Sequence, residues 1–331
     1  MSSVEAEAPP LNVDLQSDRA KSARRLSREN RAFGVWTFLA ALTVIGIFVG
    51  MFVALLVGAT PALNKFGFDF LTRDAWNPVK EDFGILALTI GTLATSVIAM
   101  LIATPIGIGI AIFLTEICPR TLRTTIGTAI ELLAGIPSII YGIWGLFVFA
   151  PWFQSVVQPI LINFFAPFPV LNVLFAGPPF GIGVLAASII LAIMILPFIA
   201  AITRDVFAIT PPLLKEAAYG LGSTRWEVVN KIVLPYARAG VVGGAMLALG
   251  RALGETMAVT FLIGNAHKIW TSLLAPGTTI SAAIANEFAE AVEPIYQSAL
   301  LAAGLFLMFI TFSVLALAQV MLSRVAKHRG G

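Results

Sequence analysis

Six apolar runs constrain this chain more than any other feature. They cover roughly residues 35–58, 84–114, 124–150, 181–203, 239–263 and 295–322. Each has the ~20 residues that a bilayer demands of a spanning helix. The composition agrees: 58% of the 331 residues are hydrophobic and 12% are charged, where a soluble domain carries about 25% charged residues. The sequence therefore predicts an all-α polytopic membrane protein with six transmembrane helices. The first run is longer than the apolar core of a signal peptide and reads as a retained helix. The second contains Thr104-Pro105, where a kink is expected.

Lysine and arginine set the orientation. The N-terminal arm (residues 1–34), loop 115–123, loop 204–238 and the tail (323–331) carry 16 of them. The connections on the opposite side carry 4, and Arg251 lies inside a run. Both termini and loop 204–238 are thus expected in the cytoplasm. The polar arm reads as disordered or lying on the surface. Residues 132–203 contain no charge at all. Their Pro-rich middle, 151–180, is too apolar for a free aqueous loop, and its place is left open.

Several function classes drop out. One cysteine, Cys118, excludes an internal disulfide and a cysteine-rich metal site. The runs hold no His or Cys, which argues against an intramembrane enzyme. A net charge of +3 gives no reason to expect nucleic acid as a partner. No G-x-x-x-x-G-K-[ST] phosphate loop occurs, so ATP chemistry belongs to another chain. No cofactor and no metal are expected. An autonomous ion-coupled carrier would be marked by inverted repeats with broken helices, which the sequence does not display.

Residues 210–235, TPPLLKEAAYGLGSTRWEVVNKIVLP, form a polar island between apolar runs. Pro211 and Pro212 suit a first helical turn. Gly222 suits a tight turn with φ > 0, and Ser223 or Thr224 caps a following helix. The expectation is helix, Gly turn, and a second short helix ending at Pro235. Gly240-x-x-x-Gly244 and Gly250-x-x-x-Gly254 read as helix-packing faces.

Three acidic or basic side chains lie within the runs: Glu131, Arg251 and Glu255. Glu131 falls near the start of the third, shallow enough for a structural contact. Arg251 and Glu255, four apart, are expected on one helix face, with Arg251 some 12 residues deep, ~18 Å at 1.5 Å per residue. Charges at that depth face a cavity or a partner. A guanidinium suits a phosphate oxyanion, and an ionised carboxylate accepts a proton from P–OH that sulfate lacks. A pair that merely neutralises itself explains the same two residues.

Glu216, Ala217, Ala218, Gly222, Ile232, Leu234 and Pro235 match the spaced EAA motif, so the chain resembles membrane subunits of type I ABC importers. The resemblance implies that this loop docks on a cytoplasmic ATPase. GRALGETMAV (250–259), ELLAGIPSIIYGIWGLFV (131–148) and GTLATS (91–96) narrow it to the C-type permease family of bacterial phosphate importers. That family implies the type I permease fold and a bacterial cell-membrane location. It also implies a second, A-type permease subunit, a cytoplasmic ATPase dimer and an extracytoplasmic phosphate-binding protein. Arg251 and Glu255 would line the substrate path.

Overall fold

The structure, a computed structural model, describes residues 13–327, with the side chains of residues 29–320. The chain divides into two units, Met1–Ala54 and Leu55–Gly331. In the first, helix begins at Val13. Residues 13–33 contain neither Gly nor Pro and are rich in Leu, Arg, Lys, Gln and Glu, all good helix formers. Residues 13–34 are therefore helical and continuous with the first span. Residues 1–12 lie outside the described residues. At the other end, the last helix continues to Lys327.

Among the described residues, six helices are long and apolar enough to cross a membrane: Glu29–Phe66, Leu86–Ile117, Ser138–Phe165, Val184–Ala208, Arg225–Leu253 and Pro294–Val320. Two of them depart from the expected boundaries. The third starts at Ser138 rather than near 124, because Gly135-Ile136-Pro137 interrupts the apolar run. Pro137 takes an extended ψ of 138°, and the residue before a proline is pushed out of the α region. The segment before the break becomes a separate amphipathic helix, Arg120–Ala134. Glu131 is thus outside the spans. The third span then continues through Phe165, absorbing Pro151 and Pro159 with π-helical turns at Gly145–Phe149 and Phe153–Val157.

The fifth span differs more. It begins at Arg225, within the polar 210–235 island, and passes Pro235 without ending. A π-helical turn at Val229–Val233 precedes the proline, and a proline next to such a turn forfeits no required N–H bond. The span stops at Leu253, where Gly254 takes φ −95°, ψ 4°. A short helix, Met257–Ile263, follows the break.

Within Leu55–Gly331 the fourth span is the centre. Of its apolar window 61% is buried, against 17% for the sixth. Second and fifth spans pack on it. The approach of the fifth is close because it is glycine-faced: a Cβ on Gly240 would lie 2.5 Å from Val206 Cγ1, and one on Gly244 would lie 2.7 Å from Ile202 Cγ2. Gly250 instead faces Leu315 of the sixth span, and Gly254 ends its helix. The Gly240/Gly244 pair packs as the small-x-x-x-small spacing predicts.

The connections that follow the first, third and fifth spans fold back rather than project. Trp76–Asn77 and Asp82–Phe83 pair as a two-stranded antiparallel hairpin. Its Trp76 and Phe83 join a buried cluster with Phe70, Ile85 and Tyr296. Beyond the third span, Leu174 O accepts from Leu273 N (2.8 Å) and Ser272 Oγ (3.1 Å). The apolar 151–180 stretch thus ends by packing on the connection between the fifth and sixth spans.

Candidate coupling surface and anion path

The helix Pro212–Gly220 opens the loop between the fourth and fifth spans, with Pro212 in its first turn. Gly222 follows at φ +85°. A Cβ there would meet nothing within 4 Å, so the turn needs glycine for its backbone and not for space. Thr224 then caps Arg225–Val228 in a complete capping box. Its hydroxyl accepts from Glu227 N, and the Glu227 carboxylate accepts from Thr224 N at 2.9 Å.

The motif residues divide by role. Ala218 is buried with Ala111, Phe207, Val228, Val233 and Ala237, and Ile232 and Leu234 pack at the margin of the same cluster. Pro235 is half-buried, while Glu216, Ala217 and Gly222 are exposed. Leu213, Leu221 and Trp226 are 74%, 89% and 66% exposed. Exposed apolar side chains of this size, set among polar residues, make the loop a candidate contact surface.

Ion pairs that the sequence does not reveal fasten this region. Lys215 Nζ lies 2.5 Å from Glu116 Oε1, at the π-helical end of the second span. Arg204 Nη2 lies 2.6 Å from Glu131 Oε1 and 2.7 Å from Asp205 Oδ1. Glu131 therefore clamps the Arg120–Ala134 helix onto the end of the fourth span. The partners stand 99 and 73 positions apart in the chain, beyond the reach of spacing rules.

Arg251 and Glu255 are not stacked on one helix face. The helix ends between them at Leu253, because glycine at 254 is a poor helix residue. Glu255 instead turns toward the next helix, where Oε1 accepts from Ala258 N at 3.3 Å. Arg251 is exposed in the last turn of the fifth span. It forms no ion pair with Glu255 or with any other described carboxylate. Its electrostatic neighbour is Tyr141 of the third span, whose hydroxyl donates to Leu133 O at 2.8 Å across the Gly135–Pro137 break. Next to Tyr141, a Cβ on Gly142 would lie 3.1 Å from Met257 O and 3.2 Å from Ala258 Cα. Two helix breaks, one in each half of the chain, thus lie close together beside the arginine.

One further cluster was not legible in the sequence. Glu287 receives Trp76 Nε1 (2.7 Å) and Tyr296 OH (2.5 Å) on Oε2, while Oε1 lies 2.6 Å from His267 Nε2. Trp76 stacks on the His267 ring, with centroids 5.8 Å apart. Burial opposes the charge on Glu287, yet the contacts from His267, Tyr296 and Trp76 outweigh it and hold the carboxyl below its ordinary value.

The profile of a family described as "Binding-protein-dependent transport system inner membrane component" matches residues 103–327. Among similar proteins, "Phosphate transport system permease protein PstC" of Mesorhizobium japonicum is 58% identical over the full length of both chains. The protein of the same name in Pasteurella multocida is 54% identical over 91% of each chain. Among solved structures, a bacterial ABC transporter importing the acidic polysaccharide alginate matches 91% of this chain and 99% of its own, with TM-score 0.60 and 20% identity. A second alginate transporter structure, in complex with an alginate pentasaccharide-bound periplasmic protein, has TM-score 0.58 over 96% of this chain. The structural likeness establishes the ABC importer permease fold. Fold, six spans and sequence together place the chain among the binding-protein-dependent transport system inner membrane components, as a multi-pass permease subunit rather than an enzyme.

Proposed function

We propose that this chain is a translocating subunit of an ATP-driven importer of inorganic phosphate. Arg251 carries the reading. It is an exposed guanidinium, without a carboxylate partner among the described residues, in the last turn of the fifth span beside the break at Gly254. A charge there is costly against lipid and calls for a polar path or a second subunit. A guanidinium fork matches a phosphate oxyanion. Glu255 spends Oε1 on Ala258 N and keeps Oε2 to accept from a protonated phosphate, which disfavours sulfate. The relatives named phosphate transport permeases support the substrate.

The supporting cast follows the family. A second, A-type permease completes the path, and an extracytoplasmic phosphate-binding protein delivers the ion. Two copies of a cytoplasmic ATPase dock on the loop that bears Glu216, Ala217, Ala218, Gly222, Ile232, Leu234 and Pro235. The lysine and arginine distribution puts that loop and both termini in the cytoplasm.

The test is uptake of labelled phosphate in cells lacking other phosphate carriers. Arg251→Gln should abolish uptake while the ATPase still co-purifies. Arg251→Glu combined with Glu255→Arg should stay inactive, since position matters and the two do not form a pair. Near-normal uptake by Arg251→Gln, or rescue by the exchange, would refute the path.

A further inference from the structure

Two ion pairs, Arg204–Glu131 and Lys215–Glu116, tie this region to separate elements, and Lys215–Glu116 is the more shielded of them. Lys231–Glu227 lies within one helix on an exposed face. Lys215 and Glu116 join separate elements and are shielded, with side chains 20% and 8% exposed. Lys215 immediately precedes Glu216, on the helix whose outer face presents Leu213 and Ala217. Glu116 sits in the π-helical turn Phe113–Ile117, which widens the last turn of the second span. That turn is held from a second side by Arg123 Nη2, which donates to Thr115 O at 2.7 Å.

From this point the second span runs on as a continuous helix, Leu86–Ile117, packed on the fourth span. Gly107 lets it press on the fourth span, where a Cβ would lie 2.8 Å from Ile199 Cγ2. Its one interior proline, Pro105, lines an apolar groove with Val97, Met100, Leu101, Thr104 and Leu249. Leu249 stands two residues before Arg251. Proline removes a helix hydrogen bond and is where a helix bends. The physical chain is thus contiguous: docking helix, ion pair, π turn, second span, proline hinge, and the fifth-span turn that carries the arginine.

We propose that the Lys215–Glu116 ion pair is the strut that transmits movement of the docking helix into the second span, making both residues positioning residues for transport. The proposal rests on the reading of the loop as an ATPase-docking surface. A shielded pair suits this role because it is directional, and breaking one partner leaves an uncompensated charge. Apolar contacts around Ala218 hold the loop in place but permit sliding, which a charge-assisted hydrogen bond resists.

The experiment uses the complete importer in proteoliposomes, with phosphate transport and ATP hydrolysis read in the same vesicles. Glu116→Gln and Lys215→Met should retain the ATPase and hydrolyse ATP. Phosphate moved per ATP should fall by roughly tenfold or more, the scale of a broken shielded pair. The exchange Glu116→Lys with Lys215→Glu should recover most of that ratio, which a general loss of stability would not do. Single variants with an unchanged ratio, or an exchange as uncoupled as the singles, would overturn the strut. Single variants that lose the ATPase would overturn it as well, assigning the pair to docking. A wild-type chain that fails to retain the ATPase would refute the docking reading, and the strut with it.

Discussion

The loop between the fourth and fifth spans and the connection between the fifth and sixth are built on opposite plans. In the loop the shaping contacts are mostly local: the Thr224–Glu227 capping box, the Gly222 turn and the Lys231–Glu227 pair span at most four residues. Its large apolar side chains stay exposed. In the connection, the shaping contacts come from far away. Thr92 Oγ1 accepts from Ile280 N, 188 residues on, and Trp76 Nε1 reaches Glu287 across 211. Gly183 N donates to Leu262 O. The loop takes most of its local form from its own sequence and leaves large apolar side chains exposed. The connection seals the core and draws its form from the rest of the fold.

That contrast is sharpest where a single group is removed. Glu287→Ala leaves two donors, Trp76 Nε1 and Tyr296 OH, facing a void beside His267, and it should destabilise the protein by about 3–5 kcal/mol, the cost of breaking a shielded charge contact. Unfolding in detergent, followed by tryptophan fluorescence, measures it. The same contact gives a pH dependence. The folded carboxyl is held below its ordinary value, so its contribution is complete above the unfolded value of about 4.3. It is lost as pH falls through the folded value. Glu287→Gln should flatten that acid limb, and an unchanged limb would sink the assignment.

Gly91→Ala probes the same region by crowding. The added Cβ would sit 1.9 Å from Thr278 O, a backbone atom. The expected cost is about 2–3 kcal/mol, read as a lower melting temperature. A neutral Gly91→Ala would mean that the connection is not sealed against the second span.

In the loop the effects should be smaller on stability and larger on assembly. Gly222→Val forces a β-branched residue to φ +85°, at about 1–2 kcal/mol, with no steric clash to add. Co-purification of the ATPase should drop, and Gly222→Asn should restore most of it, since asparagine tolerates that backbone. If Val and Asn behave alike, the turn is not what the partner reads. Thr224→Ala removes the cap, for about 1 kcal/mol. It should raise amide exchange over residues 225–228 while uptake falls only modestly. A large loss of global stability here would erase the distinction between the two regions.

The loop's legibility in the sequence follows from the same physics. Pro212, Gly222 and Thr224 act through their own backbone and immediate neighbours, so helix, turn and cap were readable directly. Pro235 misled: a proline ordinarily ends a helix, but the π turn at Val229–Val233 had already rearranged the bonds it would break. Hydropathy located the apolar runs but not their breaks. Gly135-Ile136-Pro137 and Gly254-Glu255-Thr256 lie inside apolar stretches, and a window average passes over them. The i, i+4 reading of Arg251 and Glu255 failed for this reason. In the sequence Glu131 reads as a shallow charge within a span; its partner, Arg204, is set by the packing of Arg120–Ala134 on the fourth span.

Whatever composition or short range carries could be read along the chain. That includes six membrane-spanning helices, the absence of a phosphate loop, the Gly240/Gly244 packing face, and the EAA loop with its Gly222 turn. Which charges meet is settled by folding alone. Lys215 with Glu116, Arg204 with Glu131, and His267, Trp76 and Tyr296 around Glu287 are each brought together by the packing of helices. Folding likewise sets Arg251 apart from Glu255. The reason is range. Hydrophobicity and backbone preference act along the chain, whereas an ion pair depends on a few ångströms between residues that the chain's order leaves far apart.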